Sequence, residues 1–244
     1  MLVLFGDSFV SEWEGEYPSW FKLLATELQT EFKTYGVIGS SFEYSLLKFF
    51  EYLNGPEYDP TDQIIFVLTT AYRSPVISKD FSPQWAAMLN SKIFYNQLDK
   101  ESQAQVAKLT DSDDHYRRFN TFYKDWILLQ NMDLILAQRY MLLSTLHNLP
   151  NNTASVSVGD TDYAIAKKFN NHATMSLSEV STNEFIDGDA WHYIKKYGTQ
   201  DHRTNHLSEQ NHHILKNVMY SCLIDDDCSR FSVDSFQKNL LSIT

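Results

Sequence analysis

Residues 1–13 read MLVLFGDSFVSEW. The apolar run Leu2–Phe5 breaks at once into Gly6, Asp7 and Ser8. A short apolar run bounded by a turn signal reads as a buried strand. In open α/β sheets, ligands bind beyond the carboxyl ends of the strands, where strand order reverses, and a first strand normally lies beside that point. Ser8 is therefore either a nucleophile on the loop into the first helix or, with Asp7, an ordinary turn residue.

The next residues repeat the alternation. Tyr17–Phe32 carries Trp20, Leu23, Leu24 and Leu28 at helical spacing, and Lys33–Ile38 reads as a second short strand closed by Gly39-Ser40-Ser41. Phe42–Leu53 is again helical, with Tyr44, Leu47, Phe50 and Tyr52 as a broad aromatic stripe, and Gly55-Pro56 stops it. Gln63–Leu68 is the most strand-like run of the chain. Strands alternating with helices imply a parallel sheet with right-handed crossovers.

From about Pro83 to Leu149 the pattern is long and helical. Tyr116–Leu149 is dense in Phe, Tyr, Trp, Leu and Met, a spacing that faces a core rather than a cofactor. Ala154–Val158 reads as a further strand, Asn171–Asp201 as polar and irregular, and Leu207–Cys222 as a C-terminal helix. With no internal repeat or clean linker, one domain over 1–244 with a helical insertion at about 83–149 is the simplest organisation.

The chain has 244 residues, 43% of them hydrophobic and 14% aromatic, enough for a packed core. A net charge of −11 gives no basic surface to track phosphates, which argues against nucleic acid as a partner. The first residues lack the basic region of a signal peptide, and no stretch approaches a membrane span, so the chain is expected to be cytoplasmic. Its two cysteines, Cys222 and Cys228, are then expected as reduced structural thiols. Asp111–His115 lacks the glycine and closing glutamate of a calcium loop, and Asp225–Asp227 reads as a solvated charge run, so no metal is expected. The Gly-x-Ser-x-Gly elbow, the phosphate loop and the dinucleotide fingerprint are all missing, so no cofactor is expected either.

A serine nucleophile needs a base, and the base an orienting partner. Among 8 histidines, His206 stands just before the last helical run in Asp201-His202-Arg203-Thr204-Asn205-His206-Leu207-Ser208, where Ser208 is a candidate N-cap with Asn211 three residues on. His212 and His213 fall inside the helix and read as packing or surface residues.

GDSF at the start and NHLSEQNH near the end together resemble the SGNH, or GDSL-type, hydrolase family. The resemblance implies a three-layer α/β/α fold with a flavodoxin-like parallel sheet, with Ser8 as nucleophile and His206 as base; Asp201, five residues before His206, is the candidate orienting acid. It makes the backbone N–H groups of Ser8 and Gly39 the oxyanion hole. It covers both ends and the first seventy residues. A similar layout with a long helical insertion occurs in phage-encoded SGNH-like proteins, which brings virion association into view.

Two departures stand out. The family's third block, Gly-x-Asn-Asp after the third strand, is replaced by Thr69-Thr70-Ala71-Tyr72-Arg73, so the donor Asn is missing and Thr70, Tyr72 or Arg73 is the candidate substitute. Losing one such donor costs about two to three orders of magnitude in rate. The family also places its acid three residues before the histidine, where this chain has Arg203. Asp189-Ala190-Trp191-His192 has that spacing literally but lacks the His-Leu-Ser continuation, making Asp189 and His192 the weaker pair.

Two functions follow. One is a metal-independent serine esterase acting on an acetylated carbohydrate or lipid-type ester. The other is a binding or structural protein on the same scaffold, as a homo-oligomer or in virion assembly.

Overall fold

The computed structural model describes residues 1–12, 18–37, 40–68, 132–158, 168–175, 207–228 and 236. In chain order the elements are β1 (Leu2–Phe5), α1 (Trp20–Glu27), β2 (Phe32–Thr34), α2 (Phe42–Leu53), β3 (Gln63–Leu68), α3 (Met132–Asn148), β4 (Thr153–Val158), β5 (His172–Met175) and α4 (Glu209–Ile224). The five strands form one sheet, in the order β2-β1-β3-β4-β5, and every pairing is parallel. This is the flavodoxin-like order of a three-layer α/β/α fold, as the sequence predicts.

The period-2 alternation of the strands sorts the side chains into two cores. Leu2, Leu4, Ile65, Val67, Ala154, Val156 and Ala173 pack with α1 and α4 residues such as Trp20, Leu24, Leu215 and Met219. Val3, Phe5, Ile64, Phe66 and Leu68 face the other way, onto Phe42, Phe49 and Tyr52 of α2 and Leu142, Leu143 and Leu146 of α3. Strands buried on both faces explain the unbroken apolar runs of β1 and β3.

Local chemistry sets the element ends. Ser41 caps α2 by accepting from the Tyr44 N–H at 3.4 Å, and Ser208 caps α4 by accepting from the Asn211 N–H at 3.1 Å. On α2 the inward stripe is Phe42, Ser45, Phe49 and Tyr52, while Leu47 and Phe50 of the expected aromatic stripe are exposed. Helix α1 stops five residues earlier than expected. Gln29, at φ 52°, takes the left-handed position usually held by glycine, with Gln29 N–H donating to Thr26 O and Thr30 N–H to Ala25 O.

Three expectations need correction. The stretch read as irregular after Asn171 contains β5, and the expected strand Lys33–Ile38 shortens to Phe32–Thr34. Cys222 and Cys228 form a disulfide rather than free thiols. The end of α4 and a turn through Asp226, at φ 50°, bring their Cα atoms to 4.7 Å, well inside bonding reach. The described part of the expected insertion, α3, is helical; residues 83–131 lie outside the described residues.

At the amino edge of the sheet, Asp62 is buried and holds two partners. The Met1 ammonium donates to Oδ1 at 2.7 Å and the Tyr52 hydroxyl to Oδ2 at 2.6 Å. Burial and the neighbouring carboxylate push the Tyr52 hydroxyl well above its ordinary range. No helix among the described residues is long and apolar enough to cross a membrane.

Candidate active site

Strand β1 lies between β2 and β3, so the chain turns back across it and the switch point falls at the carboxyl ends of β1 and β3. Gly6, Asp7 and Ser8 occupy the β1 side of that point. Gly6 has φ 155°, and a Cβ there would stand 2.9 Å from both Val10 Cγ2 and Val67 Cβ. No other residue type fits the position, and the turn is thereby pressed against β3.

Within the turn, Asp7 is buried and its Oδ1 accepts from the Phe9 N–H at 3.1 Å, while the Val10 N–H donates to Asp7 O at 3.1 Å. Ser11 Oγ donates to the Ser8 carbonyl at 3.1 Å. Asp7 is thus the side-chain acceptor of an Asx turn, and the Ser8 residue, 5% exposed, is held from its backbone side. The loop after β2 packs on the same turn. A Cβ on Gly36 would stand 2.6 Å from the Val10 carbonyl carbon, and Ser40 Oγ donates to the Gly6 carbonyl at 3.3 Å.

Of the residues singled out from sequence, Ser8 is described. Gly39, Thr70, Tyr72, Arg73, Asp189, His192, Asp201 and His206 lie outside the described residues. Their immediate neighbours are placed: Ser40, next to Gly39, bonds Gly6 O. Leu68, before Thr69, is buried at the end of β3. Leu207, next to His206, is buried in the same core cluster as Phe9 and Val10. The loop after β2 thus packs on the turn after β1, and α4 is joined to that turn through Trp20, which bonds both the Phe9 carbonyl and His212.

Two arrangements have no local signal in the sequence. Trp20 opens α1, and its indole Nε1–H donates to the Phe9 carbonyl at 2.9 Å, while its backbone N–H donates to His212 Nδ1 at 3.0 Å. His212 is accordingly a packing residue, as its helical position suggests, with a defined hydrogen-bonding role added. His213, its neighbour in sequence, is exposed.

The second lies under α3. Phe5, Phe66, Ser155 and His172 stand in one row across β1, β3, β4 and β5, and Leu68, Ser157 and Thr174 in the row beyond. On the side covered by α3 the sheet thus changes from phenyl and alkyl groups to hydroxyls and an imidazole. His172 Nδ1 lies 2.7 Å from Ser155 Oγ, and its Nε2 lies 3.0 Å from Ser157 Oγ. Buried Arg139 of α3 stacks its guanidinium 5.3 Å from the Phe42 ring centroid. Burial, and then the Arg139 charge, lower the His172 pKa from 6.5 to about 3. This imidazole is neutral, donating from one nitrogen and accepting at the other. No group of three or more His, Cys, Asp or Glu among the described residues is arranged to hold a metal.

Fold and switch point define the class: a doubly wound, flavodoxin-like α/β protein with a serine turn at the switch point of its sheet. No family model, curated protein or solved structure matches the chain.

Proposed function

We propose that the protein is a serine esterase of the SGNH type, acting on a small ester such as an acetylated carbohydrate or a lipid-type acyl ester. The position of Ser8 in the turn after β1, at the switch point of the sheet, is the observation that carries this reading. The packing of the loop before Phe42 on that turn, and the link from α4 to it through Trp20, support it.

In this mechanism Ser8 Oγ attacks the ester carbonyl as His206 takes its proton, and His206 returns that proton to the leaving alcohol. Water, deprotonated by His206, then attacks the acyl-Ser8 ester and releases the acid. Asp201 orients the imidazole. The N–H groups of Ser8 and Gly39 receive the developing oxyanion, with Thr70 as the substitute for the missing Asn donor.

Labelling with a fluorophosphonate probe, followed by peptide mapping, tests it. The expected result is modification of Ser8 and slow turnover of a chromogenic ester, both abolished in Ser8→Ala. Unlabelled Ser8 in well-folded protein, or equal turnover by Ser8→Ala, replaces the esterase with a binding protein on the same scaffold.

A further inference from the structure

Trp20 links the turn after β1 to α4. Helix α1 has Ser19 at its N-cap, but that side chain makes no capping bond, and its Oγ is buried without a hydrogen-bond partner among the described residues. The first N–H of the helix goes instead to an imidazole 192 residues away, in the first turn of α4. His212 N–H donates to Ser208 O at 2.8 Å, so the ring that accepts from Trp20 is tied to the helix cap beside Leu207. On its other side Trp20 grips the Phe9 carbonyl, one residue from Ser8. The Lys216–Glu27 ion pair joins the same two helices further along.

We propose that Trp20 and His212 form a brace that positions the Ser8 turn relative to the start of α4, making both of them positioning residues for the proposed site. The brace begins one residue after Ser8 and ends at the helix turn that follows His206. It rests on the esterase reading for its functional meaning, but the mechanical link stands on the described residues alone. A backbone N–H can only donate, so Nδ1 of His212 is an acceptor and the ring carries no proton there. Nucleophile and base must hold a near-attack separation, and a displacement of about 1 Å costs up to a hundredfold in rate. A hydrogen-bonded strut of fully buried groups meets that need better than two free loops.

The experiment measures two quantities on the full chain. The first is amide exchange at Phe9 and Val10, whose N–H groups bond Asp7. The second is the rate and pH profile of fluorophosphonate labelling at Ser8. The variants are His212→Leu, which removes the acceptor, and His212→Asn, whose Oδ1 takes the place of Nδ1. Trp20→Phe removes the indole donor, and Leu215→Ala is a control for core destabilisation at another buried α4 site. The brace predicts that Phe9 and Val10 exchange at least tenfold faster in His212→Leu and Trp20→Phe than in Leu215→Ala of matched global stability, with His212→Asn close to wild type. It further predicts that the labelling plateau falls at least tenfold in the first two and recovers in His212→Asn. Equal exchange in His212→Leu and Leu215→Ala overturns the brace, as does failure of His212→Asn to restore protection. Should His212→Leu not fold, Trp20→Phe and His212→Asn decide. Should wild-type Ser8 resist labelling, the esterase reading falls, and the exchange result still judges the brace.

Discussion

Ser155 Oγ lies 2.7 Å from Nδ1 of His172, the residue directly opposite it in the β4–β5 register. A hydroxyl and an imidazole thus take a cross-strand position that an apolar pair usually fills, beneath the buried cation of Arg139.

Burial of this imidazole makes stability depend on pH. His172 titrates near its ordinary 6.5 when unfolded and at about 3 when folded, because burial and Arg139 oppose its charge. Between those values the unfolded chain binds the extra proton. The contribution is complete above pH 6.5 and is lost progressively as pH falls towards 3, by at most about 1.4 kcal/mol per pH unit. Urea unfolding of wild type and His172→Asn from pH 7.5 to 4 measures it. The variant is less stable at pH 7.5 but has the shallower acid slope. Parallel curves overturn the prediction.

Gly6 is fixed by space as well as by conformation. In Gly6→Ala the new methyl meets Val10 and Val67 at 2.9 Å while the backbone stays at φ 155°. Strain and overpacking together cost roughly 2–5 kcal/mol. Thermal unfolding is expected to fall by about 5–15 °C. A melting point within a degree of wild type contradicts this account of the turn.

The disulfide between Cys222 and Cys228 ties the end of α4 to the approach to β5, because the Cys228 N–H donates to Asn170 O at 2.7 Å. Closing so short a loop contributes about 2 kcal/mol by the loop-entropy relation. Reduction, or Cys228→Ser, is expected to lower the melting point by roughly 4–8 °C. Intact mass under non-reducing and reducing conditions reports the bond directly, by a gain of two hydrogens on reduction.

Much of this architecture was legible in the residues, and the reasons are physical. Helix α2 is bounded by Ser41 and by Asn54-Gly55, and β3 is a run of aliphatics and Phe, so pattern and capping agree on both. Strand β5 was not legible, because its residues on the α3 side are His172 and Thr174, set against Ser155 and Ser157, and only Ala173 faces the apolar core on the other side. Period-2 alternation of apolar residues never appears when the buried face is polar. Gln29 hid the end of α1 for a similar reason, since glycine is the usual residue in its conformation. At the site, position could be read for Ser8 but not for Trp20 or His212. Their role arises from a contact between helices at opposite ends of the chain, which no local spacing encodes.

That contact also has a consequence for how the protein is made. Trp20 and His212 are separated by 192 residues, and translation at about 5–20 residues per second puts roughly 10–40 s between their appearances. During that interval the first helix lacks the acceptor for its leading N–H, and its face towards α4 is uncovered. The packing of α1 against its partner helix is completed only when α4 has been made.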